Sequence, residues 1–191
     1  MDKIKAEILN ATMENYFQFQ KQFPDKHSLL FADIKSVLDC AEAEAEKMAS
    51  THCNMVSYWG CNLVKGNTNM KYADFYTNML ENNYCNNEGF IKVSSDPERS
   101  KEIISEEIFG IPYTQEYFSN YKDILKPLVK LDPSCFYQLK MKGDTSGFHF
   151  IACYIDSQTG LLMGSDTSYR GTPFVLSKKI TKDNFVWLLK I

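Results

Sequence analysis

The sequence lacks any apolar run long enough to serve as a signal segment or a membrane span, and Met1 to Ile8 carry charge on alternate turns of an expected helix. A cytoplasmic location with no membrane partner is the expectation. No Cys-x-x-Cys pair occurs, so the close ligand pairs of a common zinc site are missing, and His52, Cys53, Cys61 and Cys85 are the nearest approach to one. Neither a metal nor another cofactor is expected. Repeats, low-complexity tracts and flexible tethers are also missing, so the 191 residues read as a single domain. Excess positive charge is missing too. The formal net charge is -3, which argues against a nucleic-acid partner, and Lys122, Lys126 and Lys130 with Lys178, Lys179 and Lys182 read as solvated faces.

The chain does hold six cysteines: Cys40, Cys53, Cys61, Cys85, Cys135 and Cys153. Without an export signal they are expected to stay reduced, most of them as small core residues.

Helical periodicity dominates the first half. Ile4, Ile8, Leu9 and Phe19 mark an amphipathic helix over 2 to 23, stopped by Phe23-Pro24-Asp25. Leu30, Ile34, Val37, Leu38, Ala41 and Ala45 form the core stripe of a second helix over 28 to 49, with the acidic run Glu42, Glu44, Glu46 on its solvated side. Residues 1–50 therefore make a helical extension to a core over 53–191. Met55, Val56, Tyr58 and Trp59 lead to Gly60 and Cys61 as an extended approach and a tight turn, with at most a short helix after it. Tyr72, Phe75, Tyr76, Met79 and Leu80 recur at helical spacing until Asn86-Asn87-Glu88-Gly89, and Pro97 to Phe109 and Tyr117 to Leu131 read as further helices, the last interrupted at Pro127.

From Ser134 the period becomes two. Residues 135 to 142, 148 to 155, 161 to 166, 172 to 177 and 184 to 190 alternate or run apolar between turn residues, giving about five strands. A helical N-terminal half packed on a C-terminal antiparallel sheet is an α+β fold.

Cys61, His149 and Asp166 have the residue types of a thiol nucleophile, its base and the group that orients the base. Gly60 permits a sharp turn, and a helix beginning at Cys61 would stabilise a thiolate and a developing oxyanion. If Asp156-Ser157-Gln158-Thr159 closes a hairpin, Ile155 pairs with Gly160, Ile151 with Gly164, and His149 falls opposite Asp166. Cys53, beside His52, is the rival nucleophile.

Tyr58-Trp59-Gly60-Cys61, the segment ending at Gly89-Phe90-Ile91, His149-Phe150-Ile151-Ala152-Cys153-Tyr154 and Gly164-Ser165-Asp166 together resemble the papain-like cysteine peptidases that process bacteriocin leaders. The resemblance implies a papain-like fold and a peptidase or amidase without a metal. In it Cys61 is the nucleophile, His149 the base and then acid, Asp166 the orienter, and a peptide or protein the substrate. Met55 stands where that family carries a Gln on the oxyanion, leaving Asn54 and Ser57 as substitutes. The same departure motivates a second reading, a papain-like fold without turnover that binds a peptide or protein.

Overall fold

In the computed structural model the described residues are 29–49, 51–65, 70–92, 97–114, 116–143, 147–156, 158–165 and 174–191. The helix expected over 2 to 23 and the orienter Asp166 lie outside them. The helical half holds α1 (Leu29–Leu38), α2 (Glu42–Ala49), α3 (Cys53–Lys65), α4 (Tyr72–Glu81) and α5 (Pro97–Ile103), the last running on into a π-helical turn at Ile104–Ile108. The segment read as one helix over 28 to 49 is two, because Asp39 takes a left-handed backbone (φ 48) that ends α1.

Among the described residues the second half is an open, wholly antiparallel sheet of six strands: β1 (Glu116–Phe118), β2 (Phe136–Lys142), β3 (Phe148–Ile155), β4 (Leu162–Ser165), β5 (Phe174–Val175) and β6 (Phe185–Lys190), in the order β1-β6-β2-β3-β4-β5. The α+β class is as expected, with one strand more. The helix expected from Tyr117 is replaced at its start by β1, which pairs Glu116 to Phe118 with Lys190 to Leu188, and two short helices follow it, α6 (Tyr121–Leu125) and α7 (Pro127–Lys130). Pro127 opens α7 in the position where its missing N–H costs nothing.

The sheet carries a core on each face. On one face α3 lies over β2 and β3, where Met55, Val56, Tyr58, Trp59 and Cys61 meet Phe136, Ala152, Tyr154 and Leu189. On the other, Tyr137, Leu139, Ile151, Cys153 and Ile155 pack with Ile124 of α6, Leu162, Leu176 and Ile180. Strand alternation sorts the two sets, even-numbered residues of β2 and β3 toward α3 and odd-numbered ones away.

α3 corrects the expectation of an extended approach and a turn at Gly60. Its backbone is helical from Cys53 to Lys65, and the His52 carbonyl accepts the first-turn bond from Val56 N at 2.9 Å. Because α3 is sandwiched between the sheet and the other helices, His52, Cys53 and every residue from Met55 to Asn62 are buried. Such a helix has no polar face to advertise a period of 3.6.

Candidate functional site

Cys61 is the ninth residue of α3 and completely buried. Its thiol donates to the Tyr137 carbonyl at 3.3 Å, and desolvation pushes its pKa up to about 12. The helix start expected at Cys61 is thus displaced to Cys53, and Cys61 sits too deep in the helix to feel the unpaired N–H groups of its first turn. A thiol so raised stays protonated near neutral pH.

His149 is the second residue of β3. The β2–β3 register is unbroken from Phe136↔Tyr154 to Lys142↔Phe148, so alternation sets His149 with Ile151 and Cys153 on the face away from α3. Cys61 packs on the α3 face with Ala152 and Tyr154. The cleft in which they were expected to face each other is replaced by the sheet itself.

The hairpin register also differs. Ile155 pairs with Leu162 rather than Gly160, and Cys153 rather than Ile151 pairs with Gly164. The turn is longer because Asp156 uses its carboxylate to accept from Gln158 N (2.7 Å) and Thr159 N (2.8 Å), while Gly160 takes a left-handed backbone (φ 67). Each described pair is two residues away from the register that aligns His149 with Asp166.

Asn54 and Ser57, the expected oxyanion donors, are tied into a buried network. Gln138 of β2 points its amide at them, donating to the Asn54 side chain at 3.0 Å and to the Ser57 hydroxyl at 2.8 Å, while Ser57 donates to the Asn54 carbonyl at 3.1 Å. Lys101 of α5 donates to the Gln138 side-chain oxygen at 2.8 Å, with its ammonium 4.7 Å from the Trp187 ring centre. The network locks α3 and α5 to the sheet. Neither Lys101 nor Gln138 was singled out in the sequence, because buried polar pairs leave no periodic mark.

The head of α3 has a second polar centre. His52, with no exposed surface, holds Tyr72 OH at 2.7 Å on Nδ1 and the Asn87 carbonyl at 3.3 Å on Nε2. A carbonyl only accepts, so Nε2 carries the proton and Nδ1 receives the tyrosine O–H. Burial pushes the His52 pKa down to about 4, which keeps the ring neutral. Tyr76 closes over it, edge-on at 4.8 Å, and donates to the same Asn87 carbonyl at 2.9 Å.

His52 thereby anchors the loop 82–92, whose outer side forms a cleft. This cleft holds about 610 Å³ and is lined by Met48, Leu80, Asn83, Cys85, Asn86, Asn87, Glu88 and Lys92. Apolar side chains meet amides and one charge of each sign. The Asn86 side chain is spent on the loop, accepting from Glu88 N (3.1 Å) and Phe90 N (2.9 Å). In the sequence Asn86-Asn87-Glu88-Gly89 read only as the end of a helix.

Gly89 is essential to the loop. Its φ is 73, and a Cβ there would lie 2.8 Å from Cδ2 of His52. Gly89→Ala should therefore cost about 2 kcal/mol or more of unfolding free energy, from the left-handed backbone and the overlap together, readable as a lower urea midpoint at unchanged slope.

None of the six cysteines forms a disulfide, and no group of three potential metal ligands occurs among the described residues. No described helix is long and apolar enough to cross a membrane. The sequence matches no protein-family model and no curated protein.

Proposed function

We propose that this chain is a binding domain for an extended peptide or protein segment, which it holds without cleaving, in the cleft of loop 82–92. That cleft carries the reading. Its volume of about 610 Å³ falls in the range of ligand sites. Asn83 and Asn87 bring to its wall amide side chains, which match peptide groups donor for acceptor, while Leu80 and Met48 offer apolar contact and Glu88 and Lys92 opposite charges for the ends or side chains of a bound segment. The loop is preorganised by His52 and Tyr76, so binding need not order it.

Absence of cleavage is supported by the thiol: a buried Cys61, bonded to Tyr137 O and separated by the sheet from His149, has neither the base nor the helix terminus that activates a nucleophile. Reduced cysteines fit a cytoplasmic setting.

Blocked synthetic peptides titrated into the full chain should shift the side-chain amide resonances of Asn83 and Asn87 and remain intact on prolonged incubation. Lys92→Ala, at an exposed position, should weaken peptides that bear a carboxylate several-fold and leave the urea midpoint unchanged. Hydrolysis that disappears in Cys61→Ala would replace this reading with the thiol hydrolase; hydrolysis that disappears only in Cys53→Ala would transfer the nucleophile to the residue that begins α3.

A further inference from the structure

Two lysine clusters about fifty positions apart in sequence are neighbours in the fold. α6 packs against the short helical turn Leu176–Lys178, and Tyr121 OH donates to the Ile180 carbonyl at 2.8 Å. Lys122, next to Tyr121 at the start of α6, is thereby brought to the segment that carries Lys178, Lys179 and Lys182, with Lys126 and Lys130 following it along the chain, and all but the half-buried Lys179 are exposed. Over 121–132, 176–183 and the β3–β4 turn the six lysines outnumber Asp123, Asp132, Asp156 and Asp183, a local net charge of +2 in a chain of -3. The carboxylate of Asp132 is also engaged in its own turn by Ser134 N and Oγ.

Among these cations lies bare aliphatic surface. Leu125 is 46% exposed, Leu128 61% and Val129 72%, the last two the most exposed large apolar side chains among the described residues. Leu128 reaches the β3–β4 turn, within 2.7 Å of where a Cβ on Gly160 would stand, next to Leu161 at 38% exposure. The patch is continuous across two segments of chain.

Its shape and chemistry select the partner. Adjacent protruding residues such as Leu128 and Val129 are knobs, whereas a peptide docks by sinking its own anchors into a groove. The exposed members are aliphatic rather than aromatic, so they give nucleobases no ring on which to stack. Aliphatic knobs ringed by lysines suit the boundary between anionic headgroups and acyl chains, where lysine stems reach phosphates while the knobs enter the apolar layer.

We propose that this face, built from α6, α7, the β3–β4 turn and the 176–182 segment, binds peripherally to the surface of an anionic phospholipid membrane. The proposal is independent of the peptide cleft, which is formed by other residues of the helical half.

The full chain should co-sediment with vesicles of phosphatidylglycerol and phosphatidylcholine, and not with phosphatidylcholine alone. Raising the salt should weaken the association. Lys126→Ala with Lys130→Ala should lower the partition on the order of twentyfold, at about fivefold per lysine. Lys178→Ala with Lys182→Ala should do the same from the other segment, so a folding defect confined to α7 cannot decide the matter. Leu128→Ser with Val129→Ser should also lower it several-fold, with urea midpoints as for the parent. No partition into anionic vesicles overturns the proposal. So does partition that survives both lysine pairs, and so does loss with the lysines but not with Leu128 and Val129, accompanied by equal affinity for an oligothymidine strand, which would mark a general polyanion site.

Discussion

In Asp33→Asn the unfolding free energy should fall by about 3 kcal/mol as the pH is lowered from 6.5 to 4, because burial holds the His52 pKa down at about 4 in the fold. The reason lies in how His52 is held. Its ring, wholly buried between Tyr72 and the Asn87 carbonyl, is kept neutral down to about 4, whereas the unfolded chain takes up a proton near 6.5. The folded pKa is the lower one, so this contribution is complete above 6.5 and is lost as acid is added. Asp33 of α1 works in the opposite sense. Desolvation, with Asp74 nearby, pushes it up to about 6 from 3.8, against a smaller pull from Lys71. The fold favours its protonated form, so its contribution is present below 3.8 and is lost as the pH rises toward 6. Between pH 4 and 6 the two slopes oppose, and the parent protein should show a shallower profile than Asp33→Asn. His52→Gln should reverse the slope, leaving a fold that grows more stable on mild acidification. Urea midpoints of the three proteins across this range provide the check, and His52→Gln with the parent profile would show that the imidazole is not held neutral.

α4 is legible because it has one wet face: Tyr72, Phe75, Tyr76 and Met79 are buried at helical spacing, as the pattern predicts. β2, β3 and β6, covered on both faces, are legible as short apolar runs set between turn residues. α3 has no wet face. Met55 to Asn62 are buried all round, so the only local cues were Gly60 and β-favouring side chains, and packing on the sheet overrode both. That single misreading placed Cys61 at a helix start it does not occupy. β1 is three residues long and exists through its pairing with β6, a contact between positions far apart in the chain. The register of β4 turned on the Asp156 carboxylate capping its own turn, which adds two residues to the connection and is invisible to alternation, since a shift of two preserves the faces. The cleft and the basic aliphatic face were illegible for a related reason. Each is assembled from segments whose adjacency only the fold creates: Asn87 through its carbonyl to His52, and Lys178 through Tyr121 to Lys122.

Cys61 should be among the slowest thiols of the native protein to alkylate, at least about a thousandfold slower than in the unfolded chain. With no surface exposed and its S–H spent on the Tyr137 carbonyl between α3 and the sheet, the sulfur meets a reagent only when that packing opens. Opening there means separating α3 from β2 and β3, which is close to global unfolding. Cys135, half-buried beside Ser134 and Asp132, should be far less protected. Each rate is best divided by the rate of the same thiol in urea, which removes intrinsic differences among cysteines and leaves the free energy of exposure. Followed by mass spectrometry, Cys61 protection should track the unfolding free energy of destabilised variants such as Gly89→Ala, falling by the factor that the urea midpoint reports. His149→Ala, on the far face of the sheet, should change Cys61 labelling only as much as it changes stability. The opposite result is equally definite: fast Cys61 labelling at neutral pH that slows in His149→Ala without loss of stability would mean the two side chains meet. The thiol hydrolase reading would then displace the binding domain proposed above.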